Sequence, residues 1–290
     1  MELKRAIEQR FFRVATAVAE RITAYENAQA VQRLLYLQYR GGHERENDLS
    51  FQESGFRCFS QCDEDGLLLY LAARAGIAGG KAVELGFSYP IGSNITNLIV
   101  NHGWQGLGIE GDSNAVNRSE LWFSRHRSTM FNPPKIIQAW LAQDSASGIL
   151  VSNGFGDVDV LSIDVDGIDY WIWEKLECRP KIVVVEFNPL WEAGTALTVP
   201  ASEAFTSGAR RVPGYFGASL QAMADLGRRK GYSLVGTNAL GFNAFFIVDE
   251  LQARLLLDTP SIDAELEKPL ARRQREMFLP SASHLPWVSV

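Results

Sequence analysis

The sequence has little cysteine or histidine and no long apolar run. Its three cysteines, Cys58, Cys62 and Cys178, are too few and too odd in number for a disulfide framework, and such a set fits a reducing compartment. Cys58 and Cys62 have no histidine pair nearby, which makes a poor zinc site, and no metal ligand is assigned. His43, His102, His126 and His284 have no Ser or Cys partner at recognisable spacing, so a hydrolase triad has no support. No stretch approaches the roughly 18 consecutive apolar residues of a membrane-crossing helix. The opening MELKRAIEQRFFRVATAVAERI carries Arg and Glu throughout and has no apolar core of a secretory signal, so a cytoplasmic location is expected. A net charge of -6 gives no broad attraction to nucleic acid or to an anionic membrane. The glycine fingerprint G-x-G-x-x-G is missing, which disfavours a nicotinamide oxidoreductase, and there is no P-loop. Internal repeats and low-complexity tracts are also missing.

What is present suits a sizeable core: 46% of the 290 residues are hydrophobic and 21% charged. Leu3, Ile7, Phe11, Val14, Val18 and Ile22 are spaced by three and four, so residues 2–39 read as one or two helices ending at Gly41-Gly42. Asp63-Glu64-Asp65 precedes the apolar run LLLYLAARAGI and is placed to cap a helix. Short apolar runs then alternate with helical segments: KAVELG, GLGIEGD, VDVLSIDVD and KIVVVEFN. Continuous Val/Ile/Leu strands closed by acidic residues predict a doubly wound, mostly parallel α/β sheet buried on both faces, with functional groups at the carboxyl ends of its strands. Strands around Tyr232–Val235 and Asn243–Val248, joined by a short turn, must be antiparallel. The expected organisation is a helical segment over 1–59, an α/β domain over 60–250 and a helical extension over 251–290.

The stretch VELGFSYPIGSNITN (residues 83–97) reads as a strand, a glycine turn and a helix start. Glu84 ends the strand, and Gly86 lets backbone approach a ligand. Phe-Ser-Tyr-Pro-Ile fills the space that a dinucleotide fingerprint leaves open, so a cofactor without pyrophosphate is favoured. Glu110, at the end of the second strand, is positioned to accept hydrogen bonds from two ribose hydroxyls. Gln143-Asp144 is a third candidate, with a polar group for the exocyclic amine of a purine; a solvated loop is the alternative. The densest constellation is Asp164, Asp166 and Asp169 in LSIDVDGIDYWIW, joined by Glu186 and Asn188 from the next strand. Clustered carboxylates in a partly buried crevice need a cation, a shared proton or hydrogen-bond partners. A sulfonium cofactor, a substrate amine, a divalent metal or a general-base role each meets that need; helix capping by Asp166 and Asp169 is the structural alternative.

These residues together resemble a class I S-adenosylmethionine (SAM)-dependent methyltransferase, and more narrowly the FkbM-like group through Ser60-Gln61-Cys62-Asp63-Glu64-Asp65-Gly66. The likeness spans roughly 60–250, with Ser88 and Pro90 standing where the usual first motif has glycines. It implies a Rossmann-like seven-stranded sheet with an antiparallel last strand, and SAM as co-substrate. Gln61, Asp65, Glu84, Gly86, Glu110, Asp144 and Asp164 would then hold the cofactor, with Glu64 also near its methionine end. Asp166, Glu186 and Asp169 would be catalytic, Asn188 and Tyr215 would meet a small-molecule acceptor, and Arg210 and Arg211 are candidates for an anionic group. O-methylation of a small-molecule hydroxyl in secondary or glycan metabolism is the expected reaction. A cyclase acting on the aminobutyl chain of SAM, and a non-catalytic SAM-binding module, are the alternatives. Residues 1–59 are expected to be a lid or to mediate a homodimer.

Overall fold

The computed structural model describes residues 29–41, 49–201 and 212–290. In chain order its strands are β1 (Lys81–Leu85), β2 (Gln105–Glu110), β3 (Lys135–Gln138), β4 (Val160–Ile163), β5 (Ile182–Glu186), β6 (Leu197–Thr198), β7 (Tyr232–Thr237), β8 (Asn243–Val248) and β9 (Val288–Ser289). Seven of them form one sheet in the order β3-β2-β1-β4-β5-β8-β7, and β6 pairs with β9 apart from it. All pairings from β3 to β5 are parallel, while β8 runs antiparallel to both β5 and β7. This is the Rossmann-like, doubly wound architecture expected, with its antiparallel strand where the short turn required it.

The unbroken apolar runs follow from burial on both faces. In β5, Val183 and Val185 join one core while Ile182 and Val184 join the other; in β8, Phe246 and Phe245 divide in the same way. The first core packs under helices α5 (Ala146–Ser152), α6 (Asp169–Lys175) and α7 (Leu220–Arg229). Trp173 is wholly buried there, tilted against Phe246 at 4.9 Å. The second core packs under α2 (Glu64–Arg74), α3 (Thr96–His102) and α4 (Ser113–Arg125). Truncating a fully buried ring such as Phe245 costs about 3–5 kcal/mol.

Helix α1, over residues 29–40, docks on this second face: Tyr39 is buried against Tyr70, and the Gln32 side chain accepts from Asn97 Nδ2 at 2.9 Å. The rest of the expected N-terminal helices, residues 1–28, and residues 42–48 lie outside the described residues. The C-terminal segment holds three helices and then β9, which returns to pair with β6. It is fastened to the sheet by Glu265, whose Oε2 accepts from the Thr237 amide at 2.8 Å and ion-pairs with Lys268.

Candidate functional site

In this strand order the chain leaves β1 toward β2 and β3, then crosses back to place β4 on the other side of β1. Helices that leave neighbouring strands in opposite directions open a crevice above the β1/β4 boundary. A cavity of about 420 Å³ lies there, with walls from the carboxyl ends of five neighbouring strands. Gly86 follows β1, Glu110 and Gly111 come from β2, and Ala139 to Leu141 follow β3. Asp164 to Asp166 follow β4, and Glu186 ends β5. Gln61 and Ser88 contribute from loops on the α2–α3 side.

The first turn is closed on itself. The amides of Gly86 and Phe87 both donate to Ile109 O, at 2.9 and 3.0 Å, and Gly92 N donates to Phe59 O. Ser93 Oγ donates to Glu84 and accepts from the amides of Ile95 and Thr96, both at 3.2 Å, while Asn94 N donates to Glu84 Oε1 at 3.0 Å. A bound pyrophosphate needs free amides at this turn, and these six are engaged within the protein. Phe87 is buried and fills the space beside Gly108. Gly86 has φ of +89°, and a Cβ there would lie 1.7 Å from the carbonyl oxygen of Asp164. Only glycine lets β1 and β4 close at this point.

Asp164, Asp166 and Glu186 form the chemical centre, each offering an oxygen within 4.8 Å of the other two. Asp164 and Glu186 are half-buried and Asp166 is exposed. Burial, and then the neighbouring Asp164 and Asp169, push the Glu186 carboxyl well above its ordinary range. The neighbouring Asp164 carboxylate disfavours ionisation of Glu186, so Glu186 is the member of the cluster that holds a proton most readily. Asp166 sits at φ of +60°, a left-handed conformation uncommon outside glycine. Asp169 supports it: fully buried, it accepts from Val165 N at 2.8 Å and Gly167 N at 3.0 Å, one oxygen to each amide flanking the loop. Such an arrangement can hold a cation or take a proton from a hydroxyl at the cavity floor.

Of the residues singled out from sequence, Gln61, Gly86, Glu110, Asp164, Asp166 and Glu186 meet in the cavity. The others do not line it. Glu84 is 4% exposed and turned to Ser93 and Asn94. Asp65, 1% exposed, accepts through Oδ2 from the amides of Cys58, Phe59 and Ser60, so it braces the loop that carries Gln61 instead of reaching a ligand. Glu64 likewise accepts from Asn238 and Asn243 Nδ2 and from Cys62 N. The acidic run therefore anchors loops and does not cap α2 through its side chains. Asp169 stands behind the cavity as a support and is not in contact with it. Asn188 is buried with its amide on Gly214 O and Phe216 O. Tyr215 donates to Pro286 O at 2.8 Å, with its ring edge-on to Trp287. Asp144 is exposed beyond the cavity rim. In its place stands Trp140, 60% exposed, its indole over the Gly111 backbone. The sequence signal was a tryptophan two residues beyond the end of β3 and before the polar Gln143-Asp144 turn. Arg210 and Arg211 lie outside the described residues.

These features define a ligand-binding crevice in a Rossmann-like sheet. No family model and no curated protein matches the chain. Among solved structures it is similar to a SAM-dependent methyltransferase from Aquifex aeolicus (12% identity, 64% of this chain and 90% of that one, TM-score 0.38). It is also similar to the cyclopropane synthase MmaA2 from Mycobacterium tuberculosis (11% identity, 85% and 92%, TM-score 0.38) and to the glycopeptide N-methyltransferase MtfA (12% identity, 68% and 94%, TM-score 0.37). No helix among the described residues is long and apolar enough to cross a membrane.

Proposed function

We propose that the chain is a class I SAM-dependent methyltransferase that acts on a hydroxyl of a small molecule. One observation carries this: a cavity at the β1/β4 crossover whose glycine turn has its amides engaged internally and whose floor gathers three carboxylates. That combination suits a positively charged cofactor with no pyrophosphate. Glu110 is the ribose ligand; its Oε1 accepts from Asp112 N at 2.8 Å, which orients Oε2 for a hydroxyl. Trp140 and Leu141 offer flat apolar surface to a purine, and Asp164 with Gln61 faces the amino-acid end. The finer FkbM-like placement is supported by the Ser60–Gly66 segment, whose Asp65 and Glu64 set the loop beneath Gln61.

SAM supplies an electrophilic methyl carbon bound to a sulfonium sulfur. The protein holds the acceptor oxygen in line with that carbon and excludes water. Asp166 would take the hydroxyl proton as the carbon–oxygen bond forms and the methyl–sulfur bond breaks, and would release it to solvent from its exposed position, while Glu186, which burial keeps protonated, is not the acceptor. A second reading is favoured by the proximity of the three carboxylates: they hold a divalent cation that lowers the acceptor's pKa.

The test is incubation of purified protein with SAM and candidate hydroxyl compounds, followed by mass spectrometry. S-adenosylhomocysteine with a methylated product supports methyl transfer. Methylthioadenosine with a cyclised amino acid from SAM alone would replace it with the cyclase reading, and binding with no turnover would leave the non-catalytic module. Activity lost on chelation and restored by magnesium or manganese would establish the metal reading.

A further inference from the structure

Beside the cavity runs a second, open groove of about 420 Å³ that none of the proposed chemistry uses. Its lining is Tyr89, Arg118, Leu121, Trp122, Arg125 and His126. Positions 118, 121, 122 and 125 are spaced by three and four, so α4 presents them as one stripe. The two arginines are two turns apart, about 10 Å along the axis, and flank the indole. Neither makes an ion pair or hydrogen bond among the described residues. Two guanidiniums without carboxylates, in a chain of net charge -6, make this face locally opposite in sign to the molecule.

The aromatic part is rigid. The His126 ring stacks on Trp122 with centroids 4.6 Å apart and planes at 17°. Trp122 is held edge-on by Phe123 at 5.0 Å and by Phe59 at 6.1 Å. The Ser128 amide donates to His126 Nδ1 at 3.3 Å and helps fix the second ring. Tyr89 closes the groove from the turn after β1. The groove and the cavity share this wall: Ser88 lines one and Tyr89 the other, and Phe59 lies two residues before Gln61.

We propose that this groove is a binding site for a small molecule that joins a flat unsaturated ring to a phosphate or carboxylate, and that it holds the distal part of the acceptor. The rings supply a stacking surface, and the guanidiniums supply planar, multiply donating anion contacts. Only the assignment of the ligand as acceptor rests on the methyltransferase reading; the site itself stands on the groove.

Calorimetry of the whole chain with phenyl phosphate and benzoate, and with inorganic phosphate and phenol as the separated halves, tests it. Saturable binding of phenyl phosphate or benzoate is expected, tighter than either half and weakened at least tenfold in the double variant Arg118→Gln/Arg125→Gln. Both positions are exposed on a helix surface, so the fold is retained, and SAM affinity measured on the same samples is expected to be unchanged. Inorganic phosphate binding as tightly as phenyl phosphate would overturn the inference, because the rings would contribute nothing. Binding unaffected by the double substitution would overturn it too. Failure of SAM to bind the native protein would refute the methyltransferase reading and leave the groove result to be judged on its own.

Discussion

Glu84 and Glu110 look alike in the sequence, each an acidic residue closing a strand, yet one is turned into the protein and the other to the cavity. The difference lies in nearby amides. The turn after β1 leaves Asn94 N and the Ser93 hydroxyl without strand or helix partners, and Glu84 takes both; buried donors must be satisfied. Asp65, Asp169 and Asn188 repeat this at other loops, which is why residue type and strand-end position were legible while side-chain direction was not. Burial pushes Glu84 up to about 7 against its hydrogen bonds. The folded protein therefore keeps this proton up to near neutrality, whereas the unfolded chain releases it around 4.5. Between those values the native state binds more protons, so this group's stabilising contribution is greatest below 4.5 and falls as pH rises toward 7. Denaturant unfolding of wild type and Glu84→Gln at pH 5 and pH 8 is expected to show the wild type losing of the order of 3 kcal/mol relative to the variant across that window. Parallel stability curves would contradict the buried, protonated state. At Glu110 the expectation concerns binding: Glu110→Ala weakens SAM affinity by about tenfold to a hundredfold, the loss of charge-assisted hydrogen bonds to ribose. Unchanged affinity by calorimetry would remove Glu110 from the site.

At the scale of elements, the loop from β4 to α6 is the part that the proposed chemistry depends on. It carries Asp164 and Asp166, and its shape is fixed by two Asp169 bonds and by Gly217 N on Gly167 O at 3.0 Å. The motif IDVDGID was legible as a cluster, but its division into cavity-facing carboxylates and a buried support depends on the left-handed turn at Asp166, for which the residue type gives no strong signal. Asp169→Asn replaces one accepting oxygen by an amide that faces a donor. It is expected to lower kcat by roughly tenfold to a hundredfold through misplacement of Asp166, with a few-fold change at most in SAM affinity. An equal fall in affinity and kcat would mean that Asp169 supports the whole cavity and not this loop. Gly86 tests the same junction from the other strand. Gly86→Ala puts a methyl against the Asp164 carbonyl at a φ that disfavours side chains, and a loss above about 3 kcal/mol in unfolding free energy is expected.

For the whole molecule, the two-faced core was legible because unbroken Val/Ile/Leu runs have few other uses, and the antiparallel β8 was forced by a short turn. The strand order follows from the sense of the crossovers, which periodicity does not encode but which right-handed βαβ units restrict. The C-terminal return of β9 to β6 was not legible, since a two-residue strand has no period to detect. The same order explains why one ligand can stabilise the entire sheet. The cavity takes its walls from both sides of the β1/β4 boundary, so an occupant that bridges it must be released before the sheet can open. At a hundredfold excess over its dissociation constant, SAM would add about 2.7 kcal/mol, a rise of roughly 4 °C in Tm for a chain of this size. NAD is the discriminating control, because it has a ribose for Glu110 but also a pyrophosphate, and the amides of Gly86, Phe87, Gly92, Asn94, Ile95 and Thr96 are already engaged. Thermal unfolding is expected to shift with SAM and to stay unchanged with NAD at the same concentration. A shift with NAD alone would mean that the first turn opens to receive phosphate, and the sulfonium reading of the cavity would fall with it.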